Sequence, residues 1–154
     1  MEVRMELVDF SKAAPAVRSG LLAISKAVED SGLEKTLIEL IKIRASQVNG
    51  CAFCLQFHLN LAREAKVPQT KLDLVAVWRE AGIFSAREMA ALAWTEALTH
   101  VTPVGVSDEI YAEVQNEFDE NELPFLTAAV VTINAWNRIA MAYRFTPPLS
   151  QGSS

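Results

Sequence analysis

Only two cysteines occur in 154 residues, and they stand three apart, at 51 and 54. Two adjacent thiols cannot tie distant parts of a chain together, so a disulfide scaffold is excluded. None is needed, because a chain of this length buries roughly 68–70% of its unfolded surface. No apolar run approaches the ~20 residues needed to cross a bilayer. No block of lysine and arginine occurs and the formal net charge is −5. Both facts argue against a nucleic-acid partner. The opening residues, MEVRMELVDF, put acids where a secretory leader would need positive charge followed by an apolar run. The expected location is therefore the cytoplasm. Repeats and internal linkers are also missing. The one low-complexity stretch is the tail SQGSS after Pro147 and Pro148, so a single domain over 1–148 and a flexible tail over 149–154 are expected.

What remains is a chain that is 51% hydrophobic and 21% charged, the balance of a globular protein rather than a disordered one. Strand-like alternation is scarce, and glycine and proline sit at segment boundaries. An all-α domain of about seven helices follows. LLAISKAVED predicts a helix ending near Gly32. Ser31 and Glu34 have the spacing of a capping box for the next helix, EKTLIELIKIRASQV, which stops at Asn49-Gly50. A partner helix is expected from about Cys51 to Lys66, with Pro68 as the break. TKLDLVAVWREAG follows. Ser85 and Glu88 form a second capping box before AREMAALAWTEALTH, Ser107 caps DEIYAEVQNEF, and LPFLTAAVVTINAWNRIAMAYRF is the long final helix.

The chemistry concentrates in NGCAFCLQFH, residues 49–58. On a helix, Cys51, Cys54 and His58 fall on one stripe, because residues three and four apart share a face. An imidazole one turn from a thiol can take its proton, and the positive end of a helix favours a thiolate. Those influences lower a thiol pKa from near 8.5 to about 3.5–7.5. Two helices joined at Asn49-Gly50 should lie antiparallel. Folding the sequence about that turn brings Glu39 and His58 within roughly 3 Å of each other along the common axis, at 1.5 Å rise per residue. Glu39 sits among Leu37, Ile38, Leu40, Ile41 and Ile43, so it is buried and needs a partner. His58 is one candidate; a salt bridge with Lys42 or Arg44 is the other. Glu39, His58 and Cys54 together have the orienter, base and nucleophile order of an activated-nucleophile site.

Blander readings compete. Free cysteines pack well in cores. Zinc would find only Cys51, Cys54 and His58 unless Glu39 supplied a fourth ligand. Arg44 reads as a strut between helices, His100 as a solvated helix-end cation, and Trp78, Trp94 and Trp136 as core or subunit contacts. Asn134, Asn137 and Arg138 read as a polar network between helices or subunits.

ELIKIRASQVNGCAFCLQFHLNLAREAKV, residues 39–67, resembles the core of the AhpD-like alkylhydroperoxidases of the carboxymuconolactone decarboxylase superfamily. Glu39, Lys42, Arg44, Ser46, Asn49-Gly50-Cys51, Cys54 and His58 carry the resemblance, with ALAWTEALT at 91–99 and INAWNRIA at 133–140. It implies an AhpD-like helical domain with the CxxC at the start of a helix in an antiparallel pair, assembled as trimers or hexamers. It implies peroxide reduction with Cys54 attacking, Cys51 resolving, and Glu39 and His58 relaying the proton. The disulfide would be reduced by a dithiol partner of lipoyl or thioredoxin type, with no metal, haem or flavin. The pattern departs at Phe53, where AhpD enzymes carry histidine. A lactone decarboxylase and a non-enzymatic redox-sensing module are the alternative functions.

Overall fold

The computed structural model describes residues 1–149. Apart from Leu149, the expected tail lies outside the described residues. All regular structure among them is helical: α1 (Leu7–Ala13), α2 (Pro15–Asp30), α3 (Lys35–Asn49), α4 (Ala52–Glu64), α5 (Gln69–Leu74), a 3₁₀ turn at Val75–Val77, α6 (Trp78–Ala81), α7 (Ala86–Thr99), α8 (Asp108–Glu117) and α9 (Leu123–Tyr143). No described helix is long and apolar enough to cross a membrane.

Nine α-helices among the described residues, where about seven are expected, have two causes. One is α1, a short helix with a single buried residue, Phe10. The other is TKLDLVAVWREAG, which divides into α5, the 3₁₀ turn and α6. Leu72, Val75 and Trp78 are its buried residues. Their spacing of three matches the three residues per turn of a 3₁₀ helix better than 3.6. Tightening the chain there turns all three inward.

α3 is the centre of the fold. Leu40, Ile41, Ile43 and Ala45 are completely buried, as expected for a helix apolar nearly all round. It packs against α4, α7 and α9. The turn that returns the chain is made at Gly50, whose φ of 71° is the left-handed conformation that favours glycine. The Cys51 amide then donates to the Ser46 carbonyl at 2.9 Å, closing α3 and launching α4 antiparallel to it.

Helix ends test the sequence reading directly. Ser85 and Glu88 form the expected reciprocal box, with Glu88 N donating to Ser85 Oγ at 3.1 Å and Ser85 N to Glu88 Oε2 at 2.9 Å. Ser107 caps α8 through the Ile110 amide. Ser31 does not cap α3. Its hydroxyl donates back to the Val28 carbonyl at 2.6 Å, finishing α2, and the residue flanking α3 is Glu34, without a side-chain cap. The backbone bends out of α2 at Gly32, whose φ of 88° leaves Ser31 on the wrong side of the turn.

Arg44 is the strut that the sequence suggests. Its Nε lies 2.7 Å from Glu96 Oε1 on α7, and Glu96 also receives Trp78 Nε1 at 2.9 Å and Arg79 Nη1 at 2.6 Å. Asn134 and Asn137 join α9 to α3: the Asn49 side-chain amide donates to both, at 3.0 and 2.8 Å. Arg138 donates to Asn134 on its own helix, and His100 is exposed at the end of α7.

Candidate active site

The antiparallel pair α3–α4 brings Glu39 and His58 into direct contact. His58 Nδ1 lies 2.8 Å from Glu39 Oε2, and both side chains are buried. Of the partners open to Glu39, His58 is the one it takes; Arg44 is turned to Glu96. A carboxylate can only accept, so it fixes the ring proton on Nδ1 and leaves Nε2 as an acceptor. Burial pushes the His58 pKa below the ordinary histidine value. The hydrogen bond and charge of Glu39 oppose that shift, and the positive charge of Lys42 adds to it. His58 is thus a neutral base oriented by a carboxylate.

The cysteines meet at the start of α4. Cys51 is the N-cap residue rather than a member of the first turn, and its Sγ accepts from the Cys54 amide at 3.4 Å. That amide contact joins the two cysteines, and neither is in a disulfide. Cys51 packs with Phe10, Ala45, Ile133, Ala140 and Phe145.

Of the two cysteines, Cys54 lines a cavity that Cys51 does not reach. About 400 Å³ of space lies between α2, α3, α4 and α9, lined by Cys54, His58 and Glu39 but not by Cys51. That volume is in the range of small-molecule sites. Phe53 forms part of the wall, stacked on Phe57 with centroids 6.0 Å apart and edge-on to Phe145 at 5.4 Å. The position where the resemblance would have a histidine is therefore an apolar wall beside the sulfur.

Besides His58 near Cys54, the helix-end amide of Cys54 points at the Cys51 sulfur and favours negative charge there. The Cys54 thiol donates to Cys51, and this, with the amides of Cys54 and Phe53 and the side chain of Asn137, lowers the Cys51 pKa to about 7 against the cost of burial. Cys54 is pushed well above the ordinary thiol range, first by its hydrogen bond to Cys51, then by burial and by the neighbouring negative charge. Two coupled thiols at an N-cap lose their first proton as a unit. The helix-end donors point at Cys51, so the first charge settles there.

Asn137 belongs to the site, which its sequence neighbours do not reveal. It is fully buried, donates to Ser46 Oγ at 3.1 Å and accepts from Asn49 at 2.8 Å. Its side chain also acts on both cysteines, lowering the pKa of each. The only cue in the sequence is a polar residue four places from apolar Ile133 on a helix face that must meet α3. Among the described residues, no three His, Cys, Asp or Glu side chains come together as a metal site.

Comparison with known proteins agrees with this architecture. Residues 13–97 match the carboxymuconolactone decarboxylase family. The chain is 35% identical over 135 residues to the uncharacterized protein YdfG of Bacillus subtilis (strain 168), covering 88% of this chain and 92% of that one. The crystal structure of ATU0492 from Agrobacterium tumefaciens, a protein of unknown function provisionally named as the antioxidant defence protein AhpD, superposes with a TM-score of 0.90 at 34% identity, over 97% of this chain and all of that one. The debrominase Bmp8 shares the fold at a TM-score of 0.79 and 18% identity, over 88% of this chain and 73% of its own.

Proposed function

The chain belongs to the carboxymuconolactone decarboxylase family, and from that premise we propose that it is a thiol-dependent peroxidase of the alkylhydroperoxidase type. The observation that carries the reading is that Cys54 faces the cavity beside a carboxylate-oriented His58, with the Cys51 sulfur one turn away and accepting from the Cys54 amide.

Once its first proton is lost, the pair holds one proton between two sulfurs. As Cys54 attacks, that proton shifts to Cys51, so the negative charge moves to the sulfur that faces substrate. His58 Nε2 is the other available proton acceptor. Cys54 sulfur bonds to the terminal peroxide oxygen and the O–O bond breaks. Cys54 becomes a sulfenic acid, and the alkoxide leaves and takes up a proton to become the alcohol. Cys51 sulfur then attacks the sulfenic sulfur, releasing water and forming the Cys51–Cys54 disulfide. An external dithiol of lipoyl or thioredoxin type reduces that disulfide by exchange and is itself oxidised. Three backbone or amide donors at Cys51 make it a good leaving thiolate in that last step. Assembly as a homo-oligomer is part of the proposal.

The test is peroxide consumption with dithiothreitol as reductant, on wild type and on Cys51→Ser, Cys54→Ser and His58→Gln. Turnover that depends on all three residues supports the reading. A wild type that forms the disulfide without sustained turnover would make it a redox-sensing module. Decarboxylation of a carboxylated lactone that survives Cys54→Ala would make it a lactone decarboxylase.

A further inference from the structure

Lys42 lies one turn after Glu39 on α3 and lines the same cavity as Cys54 and His58. Eight residues separate it from Gly50 on one side and His58 from Gly50 on the other, so the two stand level across the helix pair. Their charges interact: Lys42 lowers the pKa of His58. Burial lowers the pKa of Lys42 itself, against the pull of Glu39 and Glu29.

What sets Lys42 apart from Arg18 and Lys35, the other cations on the lining, is that it is partly buried where they are exposed, and it has no partner. Among the described residues its Nζ makes neither a hydrogen bond nor an ion pair, while Glu39 is occupied by His58. No described side-chain nitrogen or oxygen is both sealed and unpartnered, so Nζ is not sealed, and Lys42 lines the cavity. A desolvated cation without a counter-ion is costly, and the open cavity is where a counter-ion can reach it. Most of the remaining wall is apolar, with Leu22, Leu33, Ile38, Phe57, Leu61 and Trp136 in it beside Ser25 and Thr132. Charged residues on the lining are Arg18, Lys35 and Lys42 against Glu29 and Glu39. Three cations against two carboxylates, beside a neutral His58, leave the balance positive.

We infer that the cavity takes an organic substrate with an apolar body and a carboxylate, and that Lys42 holds the carboxylate. This deepens the peroxidase reading, on which it rests only for the group that reacts at Cys54. The acid is held level with His58, and the apolar body lies along the α2 and α9 walls.

Octanoate and octanamide, which cannot react with a thiol, test this by calorimetric titration of the reduced protein. Wild type should bind the acid at least about tenfold tighter than the amide, a difference of about 1.4 kcal/mol. Lys42→Met should bring the ratio close to one and Lys42→Arg should restore most of it, with circular dichroism checking that both variants fold. Equal binding of acid and amide by wild type, no binding of the acid, or an acid preference that survives Lys42→Met would each overturn the inference. Neither probe is a peroxide, so a protein that prefers octanoate through Lys42 yet consumes no hydroperoxide would lose its proposed activity and keep this site.

Discussion

His58 Nδ1 and Glu39 Oε2 are 2.8 Å apart and nineteen residues apart in sequence, joined across the turn at Gly50. The contact fixes which ring nitrogen is free to face the cavity. His58→Gln should lower kcat/KM for a hydroperoxide by about 10²–10⁴, the range for a general base. Glu39→Gln should cost less, because its amide oxygen still accepts from Nδ1–H. Glu39→Ala leaves that donor buried and unpaired, and should destabilise by about 1–3 kcal/mol. Urea unfolding and steady-state kinetics on the three variants check the order.

The coupled thiols should titrate in two well-separated steps. Thiolate absorbance should rise once near pH 7, the value to which Cys51 is lowered, with the second thiol resisting far into the alkaline range. Stability should follow. Between about 7 and 9 the folded protein binds fewer protons than the unfolded chain, so stability of the reduced protein rises with pH. Above the ordinary thiol value of 9.0 the raised Cys54 reverses the sign, since it stays protonated where the unfolded chain ionises. Denaturant midpoints measured across pH 6 to 10 (about the range in which reduced thiols titrate) should therefore pass through a maximum near 9. A Cys51→Ser variant should lose the rise.

Asn137 ties the sulfurs to the Asn49–Ser46 network. Asn137→Ala should cost about 1–3 kcal/mol through the partners it orphans. It should also move the first thiol titration upward. If the titration stays put while stability falls, Asn137 is a helix–helix contact and nothing more.

Glu96 gathers Arg44, Trp78 and Arg79 away from the cavity. Burial alone would raise its pKa, but those three donors win and lower it below 4.5. Its contribution is therefore present above that value and lost as pH falls through the lowered one. Glu96→Gln should destabilise at neutral pH, and its stability should depend less steeply on pH in the acid range than that of wild type. Acid-unfolding curves of the two proteins make the comparison.

The parts of the fold that could be read in advance depend on local spacing. Gly50 marks a turn, a turn makes an antiparallel pair, and counting outward from it pairs Glu39 with His58. Ser85 and Ser107 sit directly before their helices, so their caps are visible too. Ser31 shows the limit, because the same spacing fits either helix it separates and the left-handed Gly32 decides between them. Contacts that depend on how helices rotate about their axes were beyond reach: Glu96 as the partner of Arg44, Asn137 at the sulfurs, and the turning of Lys42 toward the cavity. The resting place of the charge was hidden for a related reason. It depends on which sulfur receives the Cys54 amide, a matter of ångströms at one N-cap.

Intact mass after one equivalent of cumene hydroperoxide, added to reduced protein without other thiols, tests the division of labour between the sulfurs most directly. Wild type should lose two hydrogen atoms as the disulfide closes. Cys51→Ser should instead gain a single oxygen, held as sulfenic acid on Cys54, and Cys54→Ser should stay unchanged. An oxygen gained on Cys51 in the Cys54→Ser protein, with the Cys51→Ser protein inert, would assign the attack to the other sulfur and contradict the geometry proposed for this site.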